Sequence, residues 1–375
     1  MPQQKSKYTF FDKIFLPLSI ITAIALIFGT IAGGIDPRSN FLFAYFALAY
    51  PYSLFLSILF AIWWLTRKKL LFAIPIIIII ALGYKTFHTT FGFGGDEGNA
   101  EKEAGTVRVM TYNVHSFKLY GEDNTIPAKE KMLQVVKDQN PDVVCFQEFY
   151  SRRTGKFNTI DSLKQMLNTK YYYFQPASEN DYEAFGLAIF SKYPIKHKDS
   201  IRFQGFGDNM SIYTDLDVNG RTIRIYNVHF QSISFQPQDY QFLDDLTKKT
   251  RGKLFASKRI LRMLKRAFIK RSEQVDIMKA EMAKCETPYL IAGDFNDTPA
   301  SYAVKKITNG LKNSFEEKGS GFGKTYNGKF PNFQIDYIAT TKDLDILNYK
   351  IEKAKLSDHF PVRIDLKFSA DSTKK

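Results

Sequence analysis

Cysteine is nearly absent: 375 residues hold only Cys145 and Cys285. Two cysteines without paired spacing give no zinc or redox signature and leave room for at most one disulfide, so both read as small buried hydrophobes. The chain also lacks the G-x-S-x-G elbow of a serine hydrolase and the G-x-x-x-x-G-K-[ST] loop of a nucleotide-driven machine. GFGG at 92–95 is not a dinucleotide fingerprint, because no strand–helix–strand unit surrounds it. An acidic surplus is missing too. Lys and Arg number 52 against 38 Asp and Glu, a formal net charge of +14 that favours polyanionic partners such as nucleic acid, anionic lipid or phosphorylated small molecules. With 34 Phe and 21 Tyr there is ample material for a core.

Long apolar runs are confined to the front. FLPLSIITAIALIFGTIAGGI covers 15–35, FLFAYFALAYPYSLFLSILFAIWWL covers 41–65, and LLFAIPIIIIIALGY covers 70–84 and can extend to Phe91. Each is charge-free and near the length of a bilayer crossing, and no small-residue cleavage pattern follows the first. Residues 1–91 therefore read as a membrane anchor of three transmembrane helices. Lys5, Lys7 and Lys13 precede the first run and Arg67, Lys68 and Lys69 follow the second, whereas the intervening link holds only Arg38. The positive-inside bias puts the N-terminus and the 66–69 link in the cytoplasm. Three crossings of the cell (inner) membrane then leave the remainder on the outer, periplasmic side. Residues 92–105, Gly-rich and then acidic, read as a flexible linker; 106–368 as one catalytic domain; and 369–375 as a disordered tail.

In that domain, short strand-like runs repeatedly end in polar residues. VRVMTYNVHSF alternates, so Val107, Val109, Thr111 and Asn113 share a face. PDVVCFQEF delivers Glu148. DLDVNGRTIRIYNVHF is a hairpin by its Asn219-Gly220 turn, with Ile223, Ile225, Asn227 and His229 on one face. LIAGDFND supplies Asp294 and Asn296, FQIDYIA supplies Asp336, and KLSDHFPV supplies Asp358 and His359. Each taken singly is a turn residue or a solvated acid. Together they make an inventory suited to a hard divalent cation, a general base and donors for a phosphate.

TYNVHSF, QEF, NVHF, GDFND, DYI and SDHFPV, in that order, resemble the endonuclease/exonuclease/phosphatase superfamily with its deoxyribonuclease-I-like fold. The resemblance covers the whole domain. It implies an α/β (α+β) four-layer αββα sandwich, two mixed sheets covered by helices with the site at one edge. It implies Glu148 as the principal metal ligand, helped by Asn113 and Asp358, with Mg2+ the natural ion and Mn2+ a substitute. It implies His359 as the base that prepares water, oriented by Asp336, with Asp294 beside the water and a possible base itself. His229 and Asn296 would hold phosphate oxygens. Asn227 is as easily structural as functional, His115 is peripheral, and His88 and His197 receive no role.

Residues 248–272, KKTRGKLFASKRILRMLKRAFIKRS, contain eleven Lys or Arg and no acid. Apolar residues recur there near helical spacing, so the stretch reads as a basic amphipathic helix. Its stripe either packs on the domain or meets anionic lipid, while its charge suits a membrane or a polyanionic substrate. The resemblance implies a membrane-anchored, metal-dependent phosphodiesterase, with nucleic acid slightly ahead of a phospholipid head group or inositol phosphate. An inactive scaffold is the remaining alternative. No protein partner follows from the sequence.

Overall fold

The computed structural model describes residues 8–99, 101–118, 125–203, 205, 207, 209–233, 254–328 and 333–370. Residues 248–253 of the basic stretch and 371–375 of the tail lie outside these. The chain divides into Met1–Thr90 with Thr298–Lys306, and Phe91–Asp297 with Ile307–Lys375.

The first unit is helical: α1 (Phe10–Ala32), α2 (Leu42–Thr66), α3 (Leu70–Leu82) and α4 (Tyr84–Thr90). α1 begins ahead of its apolar run because Thr9 and Asp12 close a capping box. α1 and α2 run antiparallel, with Trp64 Nε1 donating to Ser19 Oγ (3.3 Å) and Arg67 meeting Asp12 at 3.3 Å. A Cβ on Gly29 would come within 2.9 Å of the Phe46 carbonyl, so glycine there permits the close approach of the two helices. α1 and α2, of 23 and 25 residues, are long and apolar enough to cross a membrane. The third run differs from a straight span. α3 has only 13 residues and meets α4 at a 70° bend, so it makes a crossing only if the bent pair acts as one.

The second unit holds fifteen strands in three sheets among the described residues. One sheet has the order β13 (Leu344–Ile346), β15 (Val362–Phe368), β2 (Val107–Asn113), β3 (Val143–Arg152), β5 (Glu183–Ser191) and β4 (Tyr171–Glu179), with β14 (Lys350–Ile351) also on β15. The other runs β10 (Lys312–Asn313), β12 (Asp336–Thr340), β9 (Tyr289–Asp294), β8 (Arg221–His229), β7 (Met210–Val218) and β6 (Ile195–Arg202). β7 and β8 are joined by Asn219 and Gly220, at φ 53° and 86°, the two left-handed residues that a tight hairpin of this twist requires.

Alternation along the strands builds the layers. Val107 and Val109 face Ile223, Ile225, Leu290 and Ile338 in the core between the sheets. Met110, Tyr112, Val144 and Phe146 point the other way, onto Met132 and Val136 of α5 (Ile126–Gln139) and Leu163 of α6 (Thr159–Met166). On the far side α7 (Leu254–Met282) buries Val275, Met278 and Met282, completing the four layers. Asn227 is structural: its amide donates to the carbonyls of Phe146 and Ala188 and accepts from Gln147 Nε2 at 2.6 Å, bolting one sheet to the other.

The stretch 92–105 is tied down at several points. β1 (Phe91–Phe93) pairs with β11 (Ser320–Phe322), the Asp96 carbonyl accepts from Tyr349 N, and the Asn99 carbonyl accepts from Arg108 and Arg363. Its Gly and acidic composition suggests mobility, but of the two buried arginines that hold Asn99, Arg363 lies far along the chain.

Candidate active site

Strand direction explains why the polar strand ends meet. β2 and β3 are parallel, as are β8 and β9, so Asn113, Glu148, His229 and Asp294 all emerge at one rim. β12 and β15 run antiparallel to these strands, and their beginnings bring Asp336 and the preceding Asp358-His359 to the same rim. In register, His229 lies opposite Asp294, and Asp294 opposite Asp336.

Local backbone features aim the side chains. β3 breaks register between Phe146 and Phe149, and Glu148 in that bulge has φ 51°. Asn296 (φ 54°) and the turn His115–Phe117 (φ 43° to 57°) are left-handed as well. Gly293, at φ 142°, has no room for a side chain: a Cβ there would fall 2.0 Å from the Val228 carbonyl. That close strand approach is why glycine precedes Asp294 in GDFND.

Asp294 is the hub. Its carboxylate accepts from Asn113 Nδ2 (3.1 Å), Asn296 N (2.8 Å) and Asn296 Nδ2 (3.1 Å), and stands 3.6 Å from His229 Nε2 and 3.7 Å from His359 Nε2. Burial lifts its pKa to about 6; the cations of His359 and His229 and the Asn296 N–H pull back, while the Asp336 charge adds to the rise. On the other ring nitrogen, His359 Nδ1 lies 2.9 Å from Asp336 Oδ2. Burial opposes charge on His359, but the carboxylates of Asp336, Asp294 and Asp358 hold its pKa well above the usual imidazole range. Thr325 Oγ1 accepts from the backbone N–H of Ile335 and Asp336, and the Tyr326 ring meets the imidazole edge-on at 5.3 Å.

Glu148 forms the second focus. It lies 3.3 Å from Asn113 Nδ2, 3.3 Å from His115 Nδ1 and 3.8 Å from His229 Nε2. Burial works to raise its pKa, but the His115 hydrogen bond and the charges of His229, His115 and His359 outweigh that and bring it down to about 2. His115 also faces Asp358 at 3.7 Å. Ser357 Oγ donates to the Asn113 carbonyl (2.9 Å) and accepts from His359 N (3.2 Å), joining the two foci.

All eight residues singled out in the sequence thus converge at one rim. His115, expected to be peripheral, is in the cluster, two residues past Asn113. Ser357 and Thr325 were not singled out; Ser357 opens the SDH triplet, while Thr325 carries no local signal.

Two donor sets suit a cation. Asp294, Asp336 and His359 offer ligand atoms within 4.8 Å of one another. The Asp336–His359 contact is already a close ion pair, however, so an ion there would have to break it. Glu148, ionised and still partly exposed, and Asp358 supply carboxylate oxygens, the donor chemistry a hard divalent ion prefers, while Asn113 turns its Nδ2 toward Glu148 and its Oδ1 accepts from His115 N.

The Endonuclease/Exonuclease/phosphatase family matches residues 110–359, and a Domain of unknown function (DUF8431) matches residues 12–90. Phospholipase C of Staphylococcus aureus is 25% identical over 273 residues, 66% of this chain and 77% of that protein. An endonuclease/exonuclease/phosphatase family protein from Bacteroides thetaiotaomicron shares the fold at a TM-score of 0.50 and 16% identity, over 70% of this chain and 98% of the other. The human Nocturnin catalytic domain is similar at a TM-score of 0.49 and 17% identity, over 70% and 94%. With more than half its length matched, the chain belongs to the endonuclease/exonuclease/phosphatase family of divalent-metal-dependent phosphoester hydrolases.

Proposed function

We propose that the chain is a membrane-anchored phosphodiesterase in which Glu148, Asn113 and Asp358 hold Mg2+ and the Asp294–His359–Asp336 chain handles the proton of the attacking water. The observation that carries this reading is the position of Asp294, in reach of both foci at once. A divalent ion at Glu148 supplies positive charge against the charge that builds on the phosphate and its leaving oxygen. The protein groups do the rest. Asp336 and Asp294 flank the His359 ring and favour its cation, so His359 enters the reaction as a donor and Asp294 accepts the water proton. The resemblance makes His359 the base and leaves that role open for Asp294; in this reading the base is Asp294. His229 Nε2 is buried and makes no hydrogen bond among the described residues, which leaves it a donor for a non-bridging phosphate oxygen. Both amide protons of Asn296 are engaged, on Phe230 O and Asp294 Oδ2, so Asn296 orients Asp294.

The test uses the full chain in non-ionic detergent with Mg2+ and bis(4-nitrophenyl) phosphate. Hydrolysis should vanish with chelator and fall by several orders of magnitude in Glu148→Gln. A folded Glu148→Gln protein with near-normal turnover would overturn the assignment.

A phospholipid head group is the second reading, favoured by the likeness to the staphylococcal phospholipase C. Phosphatidylcholine and sphingomyelin vesicles tested beside DNA and RNA separate the two. For topology, Lys13 and Arg67 to Lys69 flank the same end of the α1–α2 pair, which supports a cytoplasmic side there. If residues 70–90 cross once more, the hydrolase lies outside the inner membrane. Protease cleavage of the hydrolase in intact spheroplasts is then expected, and complete protection would refute it.

A further inference from the structure

The buried side of α7 bears on the alternatives for the basic stretch. Ile260, Leu264, Ala267, Phe268, Val275 and Met278 of its apolar stripe are buried in the protein's own packing. With that face packed inside, the described residues leave only scattered apolar side chains, Leu261 and Ile277, exposed on this helix for lipid. What faces outward is mostly charge. Arg262, Lys265, Arg266 and Lys270, with Ile269 and a single acid, Glu273, line a groove of about 570 Å³ opposite Gly205.

The spacing of these cations is unfavourable for the helix alone. Arg262 and Arg266, like Arg266 and Lys270, stand four residues apart on one face and repel. An anion in the groove would turn that repulsion into attraction.

The groove is also built onto the loops of the reaction centre. Lys270 Nζ lies 3.3 Å from Gln231 Oε1, two residues beyond His229. The buried Arg271 donates to Gln231 O and to Asp297 Oδ2, both at 2.9 Å, and Asp297 follows Asn296. Gln274 Oε1 accepts from Gln231 N at 2.8 Å. Across the groove, Gly205 lies five residues ahead of Met210, which pairs with His229. These connections tie the Lys270 end of the groove to the loop that follows His229. A nucleic-acid strand carries one charge per ~3.4 Å of advance, so it can set one phosphate at His229 and a later one in the groove.

We propose that this groove is a second phosphate subsite, which takes a backbone phosphate of a nucleic-acid strand a few nucleotides from the scissile bond. The proposal rests on the phosphodiesterase reading and names its substrate class. A row of cations hydrogen-bonded to loops that carry catalytic residues suits a strand that runs between two sites.

The experiment compares the full chain in non-ionic detergent with Arg262→Gln/Arg266→Gln and Arg262→Glu/Arg266→Glu. Binding of a fluorescently labelled 12-nucleotide single strand is read by anisotropy across a salt series, with chelator present so that nothing is cleaved. Bis(4-nitrophenyl) phosphate hydrolysis with Mg2+ is read in parallel. The glutamine pair should weaken strand binding about tenfold or more and lower the logarithmic salt slope by about one to two, the glutamate pair should weaken it further, and hydrolysis of the single-phosphate diester should stay within twofold. Unchanged binding and slope in both variants would overturn the subsite. Equal binding of the strand with lost binding to phosphatidylglycerol vesicles would also overturn it, in favour of the membrane. Failure of the parent chain to cleave bis(4-nitrophenyl) phosphate would count against the phosphodiesterase reading, whereas unaltered anisotropy counts against the groove alone.

Discussion

Asp336→Asn is the most informative single change, because it removes a charge while keeping an oxygen beside His359 Nδ1. The two partners lie 2.9 Å apart and both are buried. At an effective dielectric near 20 their attraction is roughly 6 kcal/mol, and even a quarter of it is worth about one pKa unit. Burial alone lowers the His359 pKa, so taking away its strongest counter-charge lets it drop. The sign follows. If the imidazolium is the working form, the parent enzyme keeps it through neutral pH and loses it only under alkaline conditions. In Asp336→Asn the descending limb of kcat/KM should then move to lower pH by at least about one unit, with kcat down about 10²–10⁴-fold, the range for acid–base groups. The assay is bis(4-nitrophenyl) phosphate hydrolysis between pH 5 and 10 with saturating Mg2+. If neutral His359 were the base instead, its lower pKa would extend activity toward acid, moving the rising limb and not the falling one. That result, or near-parental turnover, refutes the donor role assigned to His359.

His229→Ala removes a buried Nε2 that makes no hydrogen bond among the described residues and should lower kcat by about 10²–10³-fold, with thermal stability unchanged within a few degrees; an intact kcat would show that His229 does not meet the phosphate. Arg271→Leu strands the buried Asp297 carboxylate and should cost about 3–5 kcal/mol, read as a loss of melting temperature; a shift under two degrees would mean the pair contributes little. Gly293→Ala forces a methyl to within 2.0 Å of the Val228 carbonyl and should destabilise by several kcal/mol, on the order of overpacking plus backbone strain; a soluble, fully active alanine protein would contradict that geometry.

What was readable beforehand was whatever is encoded locally. Alternation placed Val107, Val109, Thr111 and Asn113 on one face, and Asn113 indeed reaches Asp294 from it. The Asn219-Gly220 hairpin was equally local. Long-range partnership was not readable. Nothing near Thr325 says that it braces Asp336, and nothing in GDEGN says that Arg108 and Arg363 hold its carbonyls. The apolar stripe of α7 was visible, but the surface it packs on is not a property of the helix. The break at Gly83 in the third apolar run was hidden because hydropathy counts length and not bend.

The left-handed residues show where the fold carries strain for the site. Asn140, Asn168 and Asn219 have φ of 45° to 53°, but asparagine tolerates that region, and Asn140 caps a helix there. Glu148 has no such excuse. A glutamate at φ 51° costs about 1–2 kcal/mol, and it is held there by a bulge whose register runs on undisturbed from Phe149 to Arg152. Two truncations separate this strain from the loss of the carboxylate. Glu148→Ala and Glu148→Gly remove the same contacts to Asn113 and His115, but only glycine is released from the left-handed penalty. In an ordinary strand alanine is the more stable of the two by roughly 0.5–1 kcal/mol. Here the order should invert, glycine melting about 2–4 °C higher, since one kcal/mol moves a domain of this size by about that much. Both variants should be inactive. If alanine melts higher, Glu148 is unstrained, and the bulge is no more than an irregular pairing beside the site.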